Sequence, residues 1–275
     1  MDAQTMANTS SPFARRQTRL VIVRANGPLF YSVAAASLLE TFAPRRAERV
    51  LHFFHGDEAL CDWIRNEWSP RGAARAEKLR EYIEITWPEF DWRAAHDQYR
   101  SAIEQKGGSG PHRATAAQDA LARCVAAAES ALFYRTLARW ADDVVLRDMA
   151  RVMAHEETLA FAYFRSAFER RARVDHVGFA AAWRTALCCV RAARDTGVRL
   201  AFEASVAQWG PNTPFPAIDY IEFAKRMKSV IERQARLGFL ERVLFRPWER
   251  IPEIPVVQPQ QVVNKWFRPV LREAV

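Results

Sequence analysis

Two glutamates stand where a helix is expected to be apolar. Glu129 lies among Val125, Ala126, Leu132, Phe133, Leu137 and Trp140, and Glu156 among Val152, Met153, Leu159, Ala160 and Tyr163, all at helical spacing. A carboxylate on a core-facing stripe is costly unless it meets a metal, a cation or hydrogen-bond donors. The midpoint between the two falls on Asp142-Asp143, where the polar turn of a helical hairpin belongs. Antiparallel helices rising equally from that turn bring both carboxylates to one height. Paired carboxylates at one level of a helical bundle can hold two metal ions, and that is the chemistry this spacing points to. Glu157 also has apolar neighbours, Met153, Ala154, Ala160 and Phe161, so the choice between Glu156 and Glu157 as the inward residue stays open.

The elements that must position these groups read as helices. Ala, Leu, Arg and Glu dominate, strand-type alternation is scarce, and most of the 14 prolines fall between helical stretches or near the C-terminus. Residues 1–18 are expected to be disordered, with 20–23 a brief extended piece or a lead-in. A first helix, started by Gly27-Pro28, is expected over about Phe30 to Phe42, restarted at Pro44 and running to His55. Glu40 is the only acid of its first piece, a third site carboxylate or a solvated one. A long helix follows from Asp57 to about Ile85, with a break at Pro70, then a turn and a weaker helix to about Gln105. Gly107 to Pro111 is the clearest linker. The hairpin spans about Thr115 to Arg171, followed by helices over about Val177 to Ala207 and Ala217 to Phe245. Residues 247–275 are proline-rich and are expected to run extended, anchored by Trp248, Trp266 and Phe267. The expected organisation is one helical domain over 19–246 between these two ends. Glu203 and Glu232 echo the spacing of the hairpin pair, but Arg199, Lys228 and Arg236 make their faces look solvated.

Composition narrows the function classes. The formal charge of +8 and pI near 9.7 imply an acidic partner. The arginines are spread through amphipathic helices and not gathered in a basic run interleaved with aromatics, which disfavours nucleic acid. No apolar run approaches a membrane span or a signal-peptide core. Cys61, Cys124 and the vicinal Cys188-Cys189 lack metal-finger or secreted-disulfide spacing, so reduced thiols in a cytoplasmic protein are expected. His155 to Leu159 lacks the second histidine of a zinc-protease helix, and no glycine-rich phosphate loop is present.

Ala154-His155-Glu156-Glu157-Thr158-Leu159, preceded by a helix with Glu129, resembles the second half of the di-iron site of ferritin-like proteins. It is most similar to the soluble acyl-carrier-protein desaturases, which carry Ala-Asp-Glu-x-x-His there; the histidine is Leu159 in this chain. That family reads Trp-x-x-Glu-Glu-x-x-His upstream, followed seven residues later by Tyr. Here the stretch is Trp68-Ser69-Pro70-Arg71-Gly72-Ala73-Ala74-Arg75, then Tyr82. Gly72 takes the place of a ligand glutamate and Arg75 that of the histidine.

The resemblance implies an all-α, ferritin-like four-helix bundle with additional C-terminal helices. It implies a metal site, of iron or manganese, at Glu129 and Glu156, and a fatty-acyl substrate on an acidic acyl carrier protein. Without histidines such a site is poor at holding oxygen-activating iron. Arg75, with Arg71, is the group that could replace the metals as counter-charge, because a guanidinium between carboxylates bonds both in fork geometry. Two functions therefore compete: an oxidoreductase of the di-iron class acting on a fatty-acyl chain, and a non-catalytic binding or scaffold protein closed by Arg-Glu pairs and holding no cofactor. A homodimer is left open.

Overall fold

Five helices of the central region start at a side chain that takes up an otherwise unbonded backbone N–H. Asn26 Oδ1 accepts from Leu29 N at 3.1 Å and opens α1 (Gly27–Glu40), with Pro28 in its first turn. Asp57 opens α3 (Glu58–Trp63), Asp91 opens α5 (Trp92–Gln105), Thr115 opens α6 (Ala116–Trp140) and Asp143 opens α7 (Val144–Val174), each by the same kind of bond. Between them lie α2 (Ala43–Phe53) and α4 (Ser69–Thr86); α8 (Phe179–Asp195), α9 (Gly197–Ala207) and α10 (Tyr220–Gln234) follow. The computed structural model describes residues 20–106, 115–195, 197–209 and 213–234, and these contain no strand. Among them, no helix is long and apolar enough to cross a membrane.

The α6–α7 hairpin is the most extensively packed pair, and Ala141 to Asp143 form its turn. α1 packs on α4, α2 on α4, α8 on α6, and α9 on both α1 and α5. The apolar interior falls into two clusters. One gathers Leu38, Leu79, Ile83, Tyr134, Leu137, Ala150 and Met153; the other gathers Val50, Ile64, Leu121, Cys124, Ala160 and Phe164. Along the chain, Glu40 falls between Leu38 and Ala47, Arg75 between Ile64 and Leu79, and Glu157 between Met153 and Ala160. The level that divides the two clusters is therefore polar.

Several expectations are corrected. Pro70 does not break its helix. A π-helical turn, Ile64–Trp68, joins α3 to α4, with Ser69 N bonded to Ile64 O, and Pro70 stands in the first turn of α4, where proline is tolerated. Residues 20–24 are helical, and the helix expected over 177–207 is two. Glu203 is exposed and bonds Arg199 one turn away at 2.7 Å, an ordinary solvated pair. The expected disorder over 1–18, the linker at 107–111, the tail 247–275 and the side chain of Glu232 lie outside the described residues.

Gly72 has a packing reason. A Cβ there would stand 2.4 Å from Ala43 Cβ, so α2 and α4 approach as closely as they do because residue 72 has no side chain. A glutamate at this position would meet the start of α2. Gly72→Ala is expected to cost about 1–3 kcal/mol through the forced separation, against roughly 1 kcal/mol of helix propensity returned by alanine. Urea unfolding that showed the variant above wild type would contradict this close approach.

Candidate functional site

The polar level is built by side chains from five helices. Glu40 ends α1, Arg46 lies in the first half of α2, Arg75 is on α4, Tyr134 on α6, and Glu156 and Glu157 are on α7. Arg75 is 5 % exposed, Glu40 and Glu157 6 % each. Burial this deep of three ionisable groups requires that they neutralise one another.

Arg75 is the centre. Its Nη2 lies 2.7 Å from Glu157 Oε1 and 3.3 Å from Glu40 Oε2, and its Nη1 donates to Glu156 Oε2 at 3.2 Å. Glu40 Oε2 also accepts from Arg46 Nη2 at 2.9 Å, while Glu40 Oε1 accepts from the Tyr134 hydroxyl at 3.0 Å. Arg46 Nη1 is fixed by Leu39 O at 2.7 Å. One guanidinium thus ties α1 to α7, and one carboxylate ties α1 to α2, α4 and α6.

The electrostatics follow from counting charges. Three carboxylates meet two guanidinium groups, so the fully ionised cluster carries one surplus negative charge. Burial pushes Glu40 up, yet the charges of Arg46 and Arg75 and the bonds from Arg75 and Tyr134 outweigh it and hold the group below the usual carboxylate range. Glu157 is raised to about 7: burial acts first, and the neighbouring Glu40 and Glu156 add to it against the attraction of Arg75 and Arg46. Burial opposes the charge of Arg75, but Glu40 and Glu157 dominate and raise it above its ordinary value. The Tyr134 hydroxyl is pushed well up, by burial first and then by Glu40, so it acts as a hydrogen-bond donor.

The residues singled out in the sequence distribute unevenly over this site. Arg75 and Glu156 meet, with Glu156 half-buried at the edge. Glu129 is half-buried on α6, turned about 140° around the helix from Tyr134, which is the α6 residue in the cluster. Arg71 pairs with Glu67 on its own helix at 2.7 Å, partly exposed. Between the adjacent acids of α7, Glu157 is the buried one. The stripe that carries it runs through Ala150, Met153, Ala160, Phe164 and Phe168, whereas Val152, Leu159 and Tyr163 beside Glu156 are substantially exposed. Sequence reading missed Arg46. Its signal was its place in the turn after Glu40, six residues away across a helix junction.

Two metal ions do not fit this donor set. A permanently charged guanidinium already lies among the carboxylates and occupies their oxygens. Among the described residues no histidine joins them; His155 lines a cleft elsewhere on the hairpin. Among the described residues no group of three or more His, Cys, Asp and Glu is placed to hold a metal ion. Comparison with family models, with curated proteins and with solved structures gives no match in any of the three.

Proposed function

We propose that this chain is a non-catalytic binding or scaffold protein on a ferritin-like helical core, with Arg75 acting as counter-charge where metals would otherwise sit. The observation that carries this reading is the simultaneous engagement of Glu40, Glu156 and Glu157 by the one guanidinium of Arg75. A cluster so arranged uses its carboxylates to hold helices together, and leaves none of the three uncommitted for a substrate. Glu157, with a pKa raised to about 7, has the acidity of a general acid or base, but its oxygen is bonded to Arg75 at 2.7 Å and it is 6 % exposed. The cationic excess of the chain supports an anionic ligand or partner.

The test is metal content. Protein produced with iron and manganese both supplied, and purified without chelator, is expected to contain well under one metal per chain with its helical content intact. About two metals per chain, lost in Glu157→Ala or in Glu129→Ala, would overturn the reading in favour of the di-iron oxidoreductase acting on a fatty-acyl chain.

A further inference from the structure

A second polar feature lies on the outer side of the hairpin and shares no residue with the buried cluster. It is a cleft of about 350 Å³ between α6 and α7. From α6 it takes Arg135, Ala138 and Arg139, which the i, i+3, i+4 spacing places on one face. From α7 it takes Arg151, Ala154, His155 and Thr158, again one face of a helix. The floor contains Ala138 and Ala154, both buried at 7 % and 4 % exposure, so the cationic side chains stand around a recess and not on a convex surface. Among the described residues no carboxylate lines it.

The walls are partly fixed. Arg135 Nη2 donates to Thr158 Oγ1 at 3.0 Å, and Thr158 Oγ1 in turn donates to Ala154 O at 2.8 Å. Arg151 Nη1 bonds Asp148 Oδ1 at 3.1 Å one turn earlier, outside the lining. Guanidinium forks match phosphate oxygens in pairs, and the His155 imidazole stands on the same wall. Inorganic phosphate alone would leave most of such a volume empty, while the size lies at the lower end of small-molecule sites. The alanine floor suits the carbon part of a small organic group.

We propose that this cleft binds a soluble phosphomonoester, its phosphoryl group held by Arg135, Arg139 and Arg151 and its organic part against Ala138 and Ala154. The inference does not depend on how the buried cluster is neutralised, and metal content does not bear on it.

Calorimetric titration of the full chain at constant ionic strength tests it, with phenyl phosphate, inorganic phosphate and benzoate as probes. Phenyl phosphate is expected to bind at one site and more tightly than inorganic phosphate, and benzoate is expected not to bind. Arg139→Gln with Arg151→Gln is expected to weaken phenyl phosphate at least tenfold with an unchanged melting temperature. Arg100→Gln, an exposed arginine away from the cleft, is expected to leave it unaltered. The proposal is overturned by absence of phenyl phosphate binding, by equal binding of benzoate, or by an affinity that Arg100→Gln lowers as much as the double variant does. It is likewise overturned if the protein sediments with phosphatidic-acid vesicles and ignores the soluble ester, since the site then serves a membrane surface.

Discussion

Arg75→Ala is expected to lower the unfolding free energy by about 3–5 kcal/mol at neutral pH, the cost of leaving buried charges unpaired. The substitution strands Glu157 entirely, takes from Glu156 its bond across the helix packing, and leaves Glu40 with Arg46 and Tyr134 alone. The deficit is expected to depend on pH in a definite direction. Without the guanidinium the buried carboxylates hold their protons to higher pH, so the variant is closest to wild type near pH 4 and falls behind as pH rises. Adding Glu157→Gln to Arg75→Ala removes one stranded charge and is expected to recover part of the loss, a coupling in the range of about 0.5–3 kcal/mol. Arg71→Ala is the contrasting case: its partner Glu67 lies on the same helix and both are solvated, so a change within about 0.5 kcal/mol is expected. Denaturant midpoints for the four proteins at pH 4 and pH 8 check the whole set. A loss below about 1 kcal/mol in Arg75→Ala would mean that Arg75 is solvated and that the polar level is not an ion cluster.

The all-helical character was legible because it rests on local signals that agree with one another. Asp57, Asp91, Thr115 and Asp143 each precede an apolar helical pattern and each caps it. The hairpin turn at Asp142-Asp143 was legible for the same reason. Helix phase was not. α6 and α7 carry apolar residues on more than one face: Val152, Leu159 and Tyr163 are substantially exposed, yet on a helical wheel they form as good a stripe around Glu156 as the buried one around Glu157. Only the burial of one face of α7 within the two apolar clusters distinguishes them, and those contacts are remote in sequence. Glu129 shows the same ambiguity on α6, where the buried stripe through Cys124, Ala127, Ala131 and Tyr134 passes beside it. Gly72 was visible as a missing glutamate, but its cause, the approach of Ala43, belongs to a helix pair and not to either helix. The five cationic and polar positions of the hairpin cleft follow helical spacing on both helices. They were readable as ordinary solvated faces until the two helices were set side by side.

Glu157→Gln is expected to stabilise the protein at pH 8 and to leave it nearly unchanged near pH 4.5. The glutamine oxygen can still accept from Arg75, whereas the ionisable group is gone. In wild type, Glu157 is raised from an ordinary 4.5 to about 7. Between those values the unfolded chain has released the proton and the folded protein retains it, so the stability it confers is fully present below about pH 4.5 and is lost as pH rises through 7. Glu40 runs the other way: its depressed pKa contributes stability above the ordinary carboxylate value that disappears only in acid, below it. The contribution of the cluster is therefore greatest where the two windows adjoin, near pH 4.5, and wild type is expected to lose on the order of 2 kcal/mol from it by pH 8. Glu157→Gln abolishes that slope and retains the acid limb due to Glu40, so chemical-denaturation curves against pH meet near 4.5, separate between 4.5 and about 7, and keep a constant gap above that. Parallel curves would show that Glu157 does not titrate in this window and that the surplus charge is carried elsewhere. The same proton is also a structural variable. When it leaves, Arg75 must balance three carboxylates with help from Arg46 alone, and the contact between α4 and α7 is the one whose partner has just gained the charge. The α6–α7 hairpin is thus expected to loosen from α4 as pH rises past 7, with amides near Arg75 and Glu157 exchanging faster in wild type than in Glu157→Gln.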